Sequence, residues 1–186
     1  MLIINKKRIY FILTTIMLSV ISFSIFPKTE KTVETVSLPV SGKTIVLDAG
    51  HGLPDQGAES ADGITEASIN LEITKKVQSL LEQSGCNVIL TRSDKNGIYD
   101  VTSNTLREKK VSDIKNRVKI GNELSADIFV SIHLNKLAQK QYWGWQTFFK
   151  KGNEDSKRLA QSLQNGLNET IQKENKRESL KIENIY

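Results

Sequence analysis

The chain has 186 residues, 38% hydrophobic and 25% charged, with a net charge of +5 at neutral pH. That balance suits one globular domain with an N-terminal extra, and it excludes wholesale disorder, a collagen-like chain and a coiled-coil rod. The modest positive charge favours anionic surroundings without choosing among nucleic acid, lipid headgroups and wall polymers. The single cysteine, Cys86, excludes an intrachain disulfide and a cysteine-based zinc site.

In chain order, Lys6, Lys7 and Arg8 precede an uncharged run over residues 9–26. Basic residues ahead of such a run are the pattern of a secretory signal or signal anchor. The run lies near the lower end of the ~17–25 residues needed to span a bilayer. Positive charge before it predicts the N-terminus inside and the rest outside. Residues 1–26 are therefore read as a signal peptide or membrane anchor. Residues 27–42 are rich in Lys, Thr, Glu and Ser and carry Pro39 and Gly42; they read as a linker, and the folded domain as 43–186.

Residues 44–48 form a short apolar, β-branched run that reads as a buried strand. A glycine-rich loop follows over 49–63, then a helix over 66–83 with Ile69, Ile73, Val77 and Leu80 at spacings that share one face. Gly85 ends that helix, and residues 86–91 are a second buried strand, opened by Cys86 as a small buried hydrophobe. Residues 92–111 are polar and read as a loop. A helix over 113–124 carries Ile114, Val118 and Gly121 on one side, with Ser112 as its N-cap. Strands at 127–132 and 144–149 and a helix at 153–171 complete the pattern. Strands alternating with helices predict an α/β domain with a mostly parallel sheet, whose ligand site lies beyond the carboxyl ends of the strands.

That rule selects residues. His51 lies three positions past the first strand, in Asp48-Ala49-Gly50-His51-Gly52, and His133 ends the third, in Ser131-Ile132-His133-Leu134-Asn135. Glu66 begins the first helix of the domain, whose N-terminus points back to the same rim. Taken singly, each residue has a plainer reading: a polar strand end, or a first-turn carboxylate favoured by the helix dipole. Jointly, two imidazoles and a carboxylate make a zinc set with an open fourth position. Asp48 is read as a group that orients a metal-bound histidine or ties down the loop. Asn135 is read as positioning substrate or its own loop; the aromatic cluster Tyr142, Trp143, Trp145, Phe148 and Phe149 suits sugar stacking but reads mostly as core, with Trp143, before the strand, as the candidate for exposure and substrate contact. Arg117 reads as a structural ion-pair partner. No phosphate-binding glycine motif is present, and no nucleic-acid partner is expected.

Ile45-Val46-Leu47-Asp48-Ala49-Gly50-His51-Gly52, Gly63-Ile64-Thr65-Glu66 and Ser131-Ile132-His133-Leu134-Asn135 resemble the zinc-dependent N-acetylmuramoyl-L-alanine amidase family. Val88-Ile89-Leu90-Thr91-Arg92, Arg117 and Gly121-Asn122 fit as well, and the segment 92–117 with Gly144-Trp145-Gln146-Thr147-Phe148-Phe149 looks most like the germination-specific amidases of spore formers. The resemblance implies a single α/β domain with a twisted, mostly parallel sheet flanked by helices. It implies zinc on His51, Glu66 and His133, and hydrolysis of the amide between N-acetylmuramic acid and L-alanine in peptidoglycan. It further implies an extracytoplasmic enzyme of the spore cortex, a role towards muramic δ-lactam and in germination, stem-peptide-bearing glycan strands as substrate, and an activating protein partner.

One family feature has no counterpart. The family's general base is a glutamate in a late Val-Glu-x-Gly-Phe-like motif, and Glu154, Glu169, Glu174, Glu178 and Glu183 all lack that context. Ile182-Glu183-Asn184-Ile185-Tyr186 reads as the start of a further strand. The expectation is a domain incomplete at its C-terminus, with the base beyond Tyr186 and this chain alone nearly inactive. The alternative is a membrane-tethered wall-binding or regulatory module that keeps zinc without the base.

Overall fold

The computed structural model describes residues 6–25, 39–134, 143–171 and 174–183. The chain divides into two units, Met1–Ser37 and Leu38–Tyr186. In the first, helix α1 spans Lys6–Ile25. The hydroxyls of Thr14, Thr15 and Ser19 donate to carbonyls three or four residues back in the same helix, which satisfies them locally. Among the described residues no helix is long and apolar enough to cross a membrane.

The second unit is built on strand β1, Thr44–Ala49. It pairs in parallel with β2, Asn87–Leu90, on one side and with β3, Ile128–Ile132, on the other, giving the order β2-β1-β3. Every β1 residue from Ile45 to Ala49 is buried, as an apolar run between two neighbours requires. Ile45 and Leu47 meet Cys86, Val88, Leu90, Ile128 and Val130 and, from helix α2, Val77 and Leu81. This is the parallel α/β arrangement read from the sequence.

Helix α2 spans Glu66–Gln83, with Thr65 as N-cap accepting from the Ser68 amide. Its buried face is only partly the expected one: Val77 packs against the core as read, but other positions differ. Ala67, Asn70 and Thr74 are buried, whereas Ile73 and Leu80 are exposed. The polar members find partners inside, Asn70 Nδ2 donating to the Gly50 carbonyl and Thr74 to the Asn70 carbonyl, while Asn70 Oδ1 is buried without a partner among the described residues. Polar residues thus take inward positions that an apolar periodicity cannot reveal.

Helix α3 spans Leu106–Glu123, beginning seven residues before the expected start, and its N-cap is Thr105 rather than Ser112. Thr105 and Glu108 form a reciprocal capping box. Ser112 lies buried within the helix, its hydroxyl donating to Asp100 and accepting from the Asp100 amide. Gly121 faces Phe129, where a Cβ would come within 2.8 Å of the ring. Helix α4, Glu154–Thr170, follows an Asn153 N-cap.

The expected strand at 144–149 is correct only at its end. Strand β4 is Phe148–Lys150, and it pairs in parallel with β5, Leu180–Ile182, in a separate two-stranded sheet. The preceding backbone is bonded to side chains instead: the Thr147 amide donates to Gln164, and the Trp145 carbonyl accepts from Asn175 and Gln164.

Candidate metal centre

Beyond the carboxyl end of β1 the chain turns sharply through Gly50, His51 and Gly52. His51 has φ 64°, a left-handed backbone that is uncommon outside glycine. Two arginines stabilise it. Arg117 from α3 donates to the carbonyls of Ala49 (2.8 Å) and His51 (2.6 Å). Arg92, just past β2, donates to the carbonyls of Ala49 (2.8 Å), Gly50 (3.1 Å) and Ala67 (2.8 Å). Both guanidinium groups are buried, so their charge must be matched. Asp48 does this for Arg117, with Asp113 on the other side of the fork. Asp48 also accepts from Thr91 of the β2 edge (2.6 Å) and Ser131 of β3 (2.6 Å). Burial pushes the Asp48 carboxyl up, but Arg117 and the two hydroxyls outweigh it and hold it below the ordinary range. Asp48 therefore braces the strands and Arg117 and does not touch an imidazole; Arg117 is the structural ion-pair partner that its position suggested.

The turn brings three side chains together. His51 Nε2 lies 3.2 Å from Glu66 Oε1, and His133 Nδ1 lies 3.2 Å from the same oxygen. The rings meet edge to face with centroids 4.9 Å apart. One ligand atom from each of His51, Glu66 and His133 falls within 4.8 Å of the others, which suits a shared cation. Glu66 is 6% exposed and held at both oxygens, by the Ala58 amide (3.1 Å) and the Leu134 amide (2.8 Å). Burial raises the Glu66 pKa, but those amides and the two imidazoles outweigh it, leaving it below the usual value. Burial and the neighbouring His51 lower the pKa of His133. An ionised carboxylate and a neutral imidazole are the forms that bind a metal.

Two glycines give the site its room. A Cβ on Gly50 would lie 2.3 Å from the His133 ring, and one on Gly57 would lie 2.7 Å from the His51 ring and 2.8 Å from Glu66. Asp55, which the sequence reading passed over, closes the other side: its Oδ2 lies 3.2 Å from His51 Nδ1 and 3.1 Å from Lys110 Nζ. An acid four residues after the histidine in a glycine-rich loop was the available signal. Of the remaining sequence candidates, Asn135 and Tyr142 lie outside the described residues. Trp143 is exposed as expected, but it lines a cavity of ≈ 720 Å³ with Gln146, Glu174, Arg177 and Leu180, which contains none of the three clustered side chains. Phe148 is also exposed, whereas Trp145 and Phe149 are half-buried, so the described members of the aromatic cluster are only partly core.

The sequence profile of the N-acetylmuramoyl-L-alanine amidases matches residues 45–185. The chain belongs to the N-acetylmuramoyl-L-alanine amidase family. Among amidase relatives, the germination-specific N-acetylmuramoyl-L-alanine amidase of Bacillus subtilis is 32% identical over 150 residues, covering 81% of this chain and 62% of the relative. The chain thus spans less than two thirds of that protein. Among solved amidases, CwlD from Clostridioides difficile, in complex with the GerS lipoprotein, superimposes with a TM-score of 0.75 at 44% identity, covering 78% of this chain and 75% of that one. An amidase from Clostridium difficile 630 gives 0.63 at 28% identity, covering 77% and 71%. The family's α/β fold with a parallel sheet is the one described above.

Proposed function

We propose that this protein is a zinc-dependent amidase that cleaves the bond between N-acetylmuramic acid and L-alanine in peptidoglycan, with His51, Glu66 and His133 as the zinc ligands. The observation that carries the reading is the convergence of those three donors within 4.8 Å, in a chain that belongs to the amidase family. Two nitrogens and one carboxylate oxygen form a donor set suited to catalytic zinc. A zinc ion held there supplies Lewis acidity, drawing the pKa of water towards about 7 and polarising a carbonyl.

The protein's own part is positioning. Glu66 is fixed by two amides, and the His51 backbone by Arg117. The His133 side chain is 44% exposed, against 6% for Glu66, so a polymeric substrate has access from the His133 side. Among the described residues no second glutamate joins the cluster; Glu154, Glu174 and Glu183 pair with surface lysines. By the family pattern the proton acceptor is a glutamate of a late Val-Glu-x-Gly-Phe-like motif, which none of the described glutamates matches. Extracytoplasmic action in the spore cortex, towards muramic δ-lactam and germination, follows the likeness to the germination-specific relative. An activating protein partner follows the likeness to CwlD, which is described with a lipoprotein.

The absence of a second clustered glutamate among the described residues favours one other reading, a wall-binding or regulatory module that retains zinc. Incubating the full chain with purified sacculi separates the two. Release of free stem peptides, abolished by a chelator, supports the amidase. Zinc-loaded protein that binds sacculi and releases nothing, even in incubations long enough to detect turnover slowed about 10²–10⁴-fold by a missing base, supports the module. Protein that binds neither zinc nor sacculi overturns both.

A further inference from the structure

The two nitrogens of His51 face different carboxylates. Nε2 points at Glu66 Oε1 and Nδ1 at Asp55 Oδ2, each at 3.2 Å. A neutral imidazole carries one proton, so whichever nitrogen donates leaves the other as the acceptor. Both carboxylates can only accept, but Glu66 Oε1 already takes the Leu134 amide and faces His133 Nδ1, whereas Asp55 Oδ2 meets Lys110 besides, so the His51 proton goes to Nδ1 and the lone pair at Nε2 is left for a cation.

Asp55 is itself held in place. Its Oδ1 accepts from the Gly57 amide (3.2 Å), its carbonyl accepts from the Gly52 amide (2.9 Å), and Lys110 of α3 reaches the same Oδ2 that faces His51. Because Arg117 already anchors the His51 carbonyl, the remaining freedom of His51 is the rotation of its ring. Asp55 meets the ring at the point that sets that rotation. Asp48 has no such contact: its carboxylate is taken up by Arg117, Thr91 and Ser131.

We propose that Asp55 is a positioning residue of the metal centre: its carboxylate accepts the Nδ1 proton of His51 and thereby commits Nε2 to the cation. The proposal rests on the metal reading above, and its test has one arm that does not depend on metal. In the full chain without metal, at a pH where the imidazoles are neutral, long-range proton–nitrogen NMR of the histidine rings reports which nitrogen carries the proton. His51 is expected to be protonated at Nδ1 in the wild type. Asp55→Ala removes the acceptor, and the Nε2-protonated form rises. Asp55→Asn keeps the shape; with Oδ1 held by Gly57 its amide N–H turns towards Nδ1 and also favours the Nε2-protonated form.

The second arm titrates zinc, or cobalt as its spectroscopic substitute, against a competing chelator. Asp55→Ala is expected to weaken binding by about 10–100-fold, the usual cost of losing a partner that orients a metal-bound histidine. Lys110→Met removes the ion pair to α3 while leaving Asp55 on the ring, and is expected to stay within about fivefold of wild type. If Asp55→Ala does not fold, Asp55→Asn decides, with a loss of at least about tenfold expected. A wild-type chain that binds no metal overturns the metal reading and this proposal with it. A wild type that binds metal, with Asp55 variants equal to it in affinity and ring protonation, overturns this proposal alone. An effect of Lys110→Met as large as that of Asp55→Ala also overturns it, because the role would then belong to the tether between loop and helix.

Discussion

At Gly50 a single hydrogen in place of a methyl decides whether His133 can occupy its position. Gly50→Ala would set a Cβ 2.3 Å from that imidazole, so the ring must move. The expected result is a loss of about 1–3 kcal/mol in urea unfolding together with weakened zinc binding in chelator competition. Asp48 carries a second prediction. Burial raises its pKa, but Arg117 and the hydroxyls of Ser131 and Thr91 lower it further, so the folded value lies below the unfolded one. Such a group contributes fully above the unfolded pKa, near ~3.9, and the contribution is lost as pH falls through the folded value. Metal-free protein should therefore lose unfolding free energy on acidification below about pH 4, and Asp48→Asn should start less stable and show a shallower acid limb. The convergence of His51, Glu66 and His133 was legible because histidine is scarce in this chain and strand ends share a rim. Asp55, Arg92 and Gly57 were not, because their roles depend on distances across a loop that spacing does not encode.

At the scale of elements, α3 shows what periodicity misses. Its buried residues are Ser112 and Arg117, so an apolar stripe does not mark its inward side. The signal that remained was Thr105 followed three positions later by Glu108. Thr105→Ala should cost about 1 kcal/mol in chemical denaturation and leave metal affinity unchanged, since the cap lies twelve residues before Arg117. β1 was legible for the opposite reason: a strand buried on both faces has no polar alternation to confuse. Helix α2 stands between the two. Its limits were read correctly, but Asn70 and Thr74 face inward, where Ile73 and Leu80 were expected. Residues 144–147 failed as a strand because side chains of α4 and the segment after it take up their backbone groups.

For the molecule as a whole, zinc binding and stability should be linked. A ligand bound only by the folded state adds about 2.7 kcal/mol when present at 100 times its Kd. Thermal unfolding with and without zinc should show that shift, a chelator should reverse it, and Glu66→Gln should abolish it. The α/β class was legible in the whole chain because strand-like and helix-like periods alternate. The division into a three-stranded and a two-stranded sheet was not, because pairing between distant strands leaves no local mark.

Asp48 also sets a timetable for folding. Its partners Thr91, Arg117 and Ser131 stand 43, 69 and 83 positions further along the chain. As the polypeptide emerges, β1 meets its β2 neighbour first, yet the carboxylate it would bury has no counter-ion until Arg117 is out and lacks its last hydroxyl until Ser131 follows in β3. Closing the longer loop costs only about 0.6 kcal/mol more for each doubling of length; an ion buried without its partner costs several. The nascent sheet therefore gains little by assembling early. Completion waits for residue 131, and it should then proceed as one cooperative event, with the loop that bears His51 taking shape in the same step.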